Sequence, residues 1–144
     1  MGSLQRWPLA VVEYLDLRFE RDREITVRLV DRAESRHLNS RYRHRDAETN
    51  VLSFPAGEPF ELPPEEALPL GDLVLCAPLV AEEAASQRKS SADHWAHLLV
   101  HGTLHLLGYD HEADADAASM EALEVAILAR HGVANPYMER ESGR

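Results

Sequence analysis

Apolar residues recur along this chain at two spacings, and the changes from one to the other outline its elements. Leu4, Trp7, Val11, Tyr14 and Leu15 fall at helical spacing, and Pro8 is tolerable in a first turn. Leu9, Val11, Leu15 and Leu17 partly match a strand, but residues 4–17 read better as a helix. Glu24–Val30 alternates, with Ile25, Val27 and Leu29 on one face, and predicts a strand. Asp31–Arg43 predicts a helix with Asp31 as its cap, Glu34 three residues on, and Leu38 and Tyr42 as anchors. Thr49–Pro55 reads as a short strand stopped by proline. Residues 56–70 hold four prolines and four glutamates without periodicity, which predicts an exposed loop. Gly71–Ala77 is a buried strand, and Pro78–Gln87 a helix with proline at its start. Ala117–His131 is a last amphipathic helix that stops at Gly132.

Between these lies a stretch of another character, His94–His111, with five of the eight histidines. On a helix turning ~100° per residue, His94, His97, His101 and His105 fall in a sector roughly 80° wide. The other faces carry Trp95, Ala96, Leu98, Leu99, Val100, Leu104 and Leu106. A helix that is apolar except for one histidine stripe belongs inside a protein. Asp93 is expected to cap it and Gly108 to end it, which would turn His111 back towards His101 and His105. His94, near the start, is expected in solvent.

Composition narrows the class. At 144 residues the chain suits a single domain with a true core, and no second domain or repeat is visible. The tail 138–144 is expected to be flexible. No apolar run reaches the roughly 18 residues of a membrane span, and no secretory pattern opens the chain. A single cysteine, Cys76, excludes an internal disulfide framework. A cytoplasmic location is the default expectation. The net charge of −10 argues against broad nonspecific nucleic-acid binding. Its distribution is uneven, however: Arg36–Arg45 holds four arginines, two histidines and no acid, a local anion site on an acidic chain.

His101 and His105, at i and i+4, can grip one ion from one helix face, and His111 follows six residues later in H-x-x-x-H-x-x-G-x-x-H. Three neutral imidazoles leave a position open for water, the pattern of a catalytic zinc site with one ion per chain. Without thiolates, zinc or a similar divalent ion is favoured. A lone histidine would be read as an ordinary core or surface residue, but three at this spacing point to metal. The spacing is that of metzincin proteases, except that Gly102 stands where those enzymes place their general-base glutamate. Protease chemistry of that type is thereby disfavoured. His97, on the same stripe, is read as a support for a ligand, a proton shuttle, a fourth contact, or simply a hydrogen-bonded helix histidine. Asp110 and Glu112 are read as turn acids beside His111, with a ligand-orienting role as the alternative.

The string H-G-T-L-H-L-L-G-Y-D-H at 101–111 closely resembles the signature of the YbeY family, bacterial rRNA maturation factors and proposed metal-dependent endoribonucleases. The likeness extends to V-R-L-V-D at 27–31, L-N-S-R-Y-R at 38–43, T-N-V-L-S-F-P at 49–55, G-D-L at 71–73, H-W-A-H at 94–97 and M-E-A-L-E at 120–124. It covers roughly residues 24–137. The resemblance implies an α+β fold, a small mixed sheet packed with helices around a buried central helix that carries the H-x3-H-x5-H site, as in zincins. It implies His101, His105 and His111 as zinc ligands and Arg43 as a functional arginine. Family members usually begin with a strand before the first helix. Here only about three residues precede that helix, so either the sheet lacks an edge strand or the chain has been trimmed at its start.

The implied activity is single-strand-specific endoribonuclease action in 16S rRNA 3′-end maturation and ribosome quality control. The implied partners are rRNA, small-subunit ribosomal proteins and assembly factors, with no DNA and no membrane. Arg43 would hold a phosphate with its planar fork. His97, a metal hydroxide or the RNA's own 2′-hydroxyl would handle the proton. The rival reading is a non-catalytic assembly factor of the small subunit, with a structural metal.

Overall fold

The computed structural model describes residues 2–15, 24–55, 69–109 and 114–137. In chain order the elements are α1 (Gly2–Tyr14), β1 (Glu24–Val30), α2 (Arg32–Arg43), β2 (Val51–Pro55), β3 (Pro69–Cys76), α3 (Ala77–Ser86), α4 (Ser91–Leu106) and α5 (Asp114–Arg130). The expected loop over 56–70 falls largely outside the described residues, and its last two positions belong to β3. Asp110, His111 and Glu112, and the expected tail 138–144, also lie outside them.

The sheet order is β1-β3-β2. β1 runs parallel to β3 and β2 antiparallel to it, so the sheet is mixed and the fold α+β. Its central strand is covered on both faces, which explains the unbroken apolar run L-V-L-C. Leu73 and Leu75 face a core built with Trp7 and Val11 of α1, Leu99 and Leu104 of α4, and Met120, Ile127 and Leu128 of α5. Val74 and Cys76 face a smaller cluster with Val30, Leu52 and Phe54, closed by Leu38 and Tyr42 of α2. Leu29, at the end of edge strand β1, stays 43% exposed although Ile25 and Val27 on the same face are half-buried.

The histidine helix starts earlier than its sequence suggests. Ser90, not Asp93, is the N-cap, and its Oγ accepts a hydrogen bond from the Asp93 backbone N–H at 3.0 Å. Asp93 sits inside the first turn, where a carboxylate is favoured by the helix dipole. The shift places His94 a full turn in. It is therefore buried, not solvated, and its Nε2 bonds to Glu83 Oε1 at 2.9 Å. α4 leaves its last turn through Gly108, whose φ of +101° a side chain would oppose.

Candidate metal and phosphate cleft

Two buried polar residues of α2, Ser35 and Asn39, hold one wall of the site in place. Ser35 Oγ donates to Thr49 O at 2.8 Å and accepts from Thr49 N–H at 2.9 Å, and Asn39 Nδ2 donates to Ala47 O at 2.9 Å. They pin the connection between α2 and β2, and with it the end of α2 that carries Arg43. Asp31 caps the other end, accepting from Glu34 N–H at 2.8 Å. The opposite wall is α4. It lies so close to the sheet that a Cβ on Gly102 would come within 2.8 Å of Leu73 Cδ2 and 3.2 Å of Ser53 Oγ. Ser53 Oγ donates to Gly102 O at 3.1 Å, tying β2 to the helix between His101 and His105.

A cleft of about 770 Å³ opens between these walls. Its lining includes Asn39, Arg43, Arg45, Asn50, His101 and His105. No carboxylate is among the described lining residues, on a chain of net charge −10. The acids nearest in sequence are engaged elsewhere: Asp46 pairs with Arg36 at 2.7 Å, and Glu48 with Arg32. Arg43 is anchored by neutral groups. Its Nη2 donates to Ser53 O at 2.7 Å, its Nη1 to Tyr42 O at 3.1 Å, and its Cζ sits 4.9 Å from the Phe54 ring centroid. Carbonyls and a ring hold the guanidinium without neutralising it.

His101 and His105 stand one turn apart, ring centroids 4.7 Å from each other and planes at 77°. Behind His101, away from Arg43, lies the fully buried Glu124 of α5. Glu124 Oε2 accepts from His101 Nδ1 at 2.5 Å, and Oε1 accepts from His97 Nε2 at 3.0 Å and from the Tyr137 hydroxyl. Burial pushes the Glu124 carboxyl up, but the bonds from His101, His97 and Tyr137 more than offset this and hold it at about 2, below its ordinary 4.5. A carboxylate oxygen that accepts from His101 requires the proton on Nδ1, which in the neutral imidazole puts the lone pair on Nε2. Two imidazoles on one helix face, one with its Nε2 basic, suit a borderline divalent ion. His97, His101 and Glu124 also bring one potential ligand atom each within 4.8 Å of one another. The described residues thus offer a potential metal-binding group that uses Glu124, beside the expected pair His101 and His105.

Arg43, His101 and His105 come together in one cleft. His97 does not line it; its ring lies beyond that of His101, with centroids 6.2 Å apart. Glu124 and Tyr137 were not anticipated. A signal for Glu124 was present: it lies four residues after Met120 and three and four before Ile127 and Leu128, a carboxylate on the buried stripe of α5. Arg41 is exposed and outside the cleft, whereas Arg45 lines it. Asn50 Nδ2 donates to Glu83 Oε1 at 3.0 Å and so ties the start of β2 to α3.

The depressed Glu124 carboxyl makes stability depend on pH. Its folded value lies below its unfolded one, so its contribution is complete above about pH 4.5 and is lost as pH falls towards about 2. The shift corresponds to something on the order of 3 kcal/mol. His94, lowered by burial against the opposing pull of Glu83, acts with the same sign, beginning as pH falls below its ordinary 6.5. Denaturant midpoints measured from pH 8 to pH 3 should therefore fall in two stages. Glu124→Gln should flatten the lower stage and leave the upper one.

Fold and cleft define an α+β protein whose buried histidine helix forms one wall of a cationic cleft. The YbeY family model, described as Endoribonuclease YbeY, matches residues 3–132. The chain belongs to that family. An endoribonuclease YbeY of Halorhodospira halophila is 65% identical over 117 residues, covering 81% of this chain and 76% of its own. One from Acinetobacter baumannii is 57% identical over 123 residues, covering 84% and 78%. A solution structure of a Thermotoga maritima protein aligns over 84% of this chain and 83% of its own, with 25% identity and a TM-score of 0.46.

Proposed function

We propose that this chain is a zinc-dependent, single-strand-specific endoribonuclease that matures rRNA in the cytoplasm, including the 3′ end of 16S rRNA, and serves ribosome quality control. The observation that carries this reading is the cleft: two arginines and two metal-competent imidazoles with no carboxylate among the described lining residues, on an otherwise acidic chain. Such a lining favours a polyanion and leaves the rest of the surface unfavourable to it. Single-stranded RNA can bend a phosphate into an open cleft, whereas an A-form duplex presents only its outer shape.

His101, His105 and His111 would hold one zinc ion, which supplies Lewis-acid polarisation of a phosphoryl oxygen and activation of water. Arg43 binds the scissile phosphate through its fork and stabilises the charge that develops there. Asn39, Asn50 and Arg45 line the path along which the flanking sugar–phosphate backbone would run. His97 enters through Glu124, which it holds in place behind His101. The wider acidic surface suits basic small-subunit ribosomal proteins and assembly factors as docking partners. Neither DNA nor a membrane has a place in this reading. No helix among the described residues is long and apolar enough to cross a membrane.

The test uses a precursor rRNA fragment and zinc-loaded protein, with His105→Ala and Arg43→Ala prepared identically. The parent should contain one zinc per chain and cut the fragment, and each variant should cut it at least about a hundredfold more slowly. Cleavage that persists in both variants points to a contaminant and defeats the nuclease assignment. A parent that cuts nothing, yet unfolds when zinc is removed, is instead an assembly factor with a structural metal.

A further inference from the structure

We propose that Glu124 is a positioning residue for the metal site, a buried carboxylate that locks His101 in the tautomer whose Nε2 carries the lone pair. This inference rests on the reading of His101 as a metal ligand. Its basis is the use already made of the carboxylate. Two oxygens accept from three donors, on His101, His97 and Tyr137, and the side chain has no exposed surface. An ion bound directly by Glu124 would compete with these donors for the carboxylate, and a His97 or His101 N–H displaced from it would lose its partner in a part-buried site, which costs free energy. As an acceptor behind the ligand, Glu124 disturbs none of them.

The layout supports the same division of labour. His101 separates two cavities. On one side is the cleft with Arg43 and His105. On the other is a pocket of about 220 Å³ lined by His101, Ala117, Met120, Glu121, Glu124 and Tyr137. Nδ1 is spent on the Glu124 side. A ligating imidazole that donates its other ring N–H to a carboxylate has its orientation fixed and its basicity raised. His97 and Tyr137 then become the groups that keep the carboxylate aimed. The His97 ring meets the Tyr137 ring edge-on, with centroids 5.2 Å apart, so the three side chains brace one another.

Glu124→Met keeps similar bulk and removes the acceptor, whereas Glu124→Gln keeps an acceptor and removes the charge. Two readouts separate positioning from plain folding. One is the tautomer of His101 in metal-free protein at neutral pH, read by long-range proton–nitrogen NMR. The other is zinc affinity and stoichiometry, by competition with a chelator. The parent should show the Nδ1–H tautomer and bind one zinc. Glu124→Met should lose that tautomer and bind one zinc about 10- to 100-fold more weakly. Glu124→Gln should fall between the two.

An Nε2–H tautomer at His101 in the parent overturns the proposal without recourse to any variant. Unchanged zinc affinity in a folded Glu124→Met protein overturns it as well. Complete loss of zinc from both Glu124 variants, with binding retained by His105→Ala, makes Glu124 a ligand in its own right and overturns the positioning role. A parent that binds no zinc defeats the metal reading and the positioning role with it. The His101 tautomer then tells that failure from a failure of the lock alone.

Discussion

Gly102→Glu should leave no cooperatively folded protein, while Gly102→Ala should fold with a modest loss of stability. The first substitution places a carboxylate directly after His101, where a metzincin protease carries its general base. Here that position faces the sheet, not the cleft. A Cβ at residue 102 already meets Leu73 Cδ2 at 2.8 Å, Ser53 Oγ at 3.2 Å and Val51 Cγ2 at 3.4 Å. Leu73 is wholly buried and has little room to withdraw. For alanine, overpacking costs about 1–3 kcal/mol, offset by up to about 1 kcal/mol of gained helix propensity. Glutamate adds two methylenes and a charge with no partner in an apolar interface, which brings the cost to about 5 kcal/mol or more, comparable to a whole domain's stability. Urea unfolding followed by circular dichroism measures both. A Gly102→Glu protein that unfolds at the parent's midpoint would show that this face of α4 is not packed on the sheet.

Gly102 also shows what the sequence could and could not convey. Its identity disfavoured one chemistry, but the reason for glycine there is a close approach between a helix and a sheet, and no local pattern encodes such an approach. Elements with a clean period and a stop signal were legible. β1 follows its alternation, α2 its cap at Asp31, and β2 its terminal proline. The start of α4 was misplaced because Ser90 and Asp93 are both good caps, and the choice between them depends on burying His94 beneath Glu83 on α3. Half of the site was legible for the same reason: His101 and His105 share a face through helix geometry alone. Their link to Arg43 depends on the hydrogen bonds that pin residues 44–50 to α2. Glu124 stayed hidden because a glutamate on an amphipathic helix is ordinarily assigned to the solvent side. Only the partners supplied by α4 and Tyr137 make its burial tolerable.

Arg43→Ala should slow RNA cleavage by about two to three orders of magnitude, with a stability change below about 1 kcal/mol. Both parts follow from how the side chain is held. It is exposed, and its bonds to Ser53 O and Tyr42 O are to carbonyls near water, so their loss strands no buried group. Its charge is directed at no carboxylate among the described residues, so a phosphate in the cleft would meet an uncompensated cation. Arg43→Lys keeps the charge but forfeits the fork, which cannot then hold Ser53 O and a phosphate together. It should recover less than half of the lost free energy of activation. Binding carries a separate signature. If Arg43 contacts one phosphate, Arg43→Ala should reduce the slope of log affinity against log salt for single-stranded RNA by about 0.7. Kinetics and a salt series on the parent and both variants decide the matter. A parent-like cleavage rate in Arg43→Ala, or an unchanged salt slope, would remove the phosphate from this arginine and require another cation of the cleft, Arg45, to take its place.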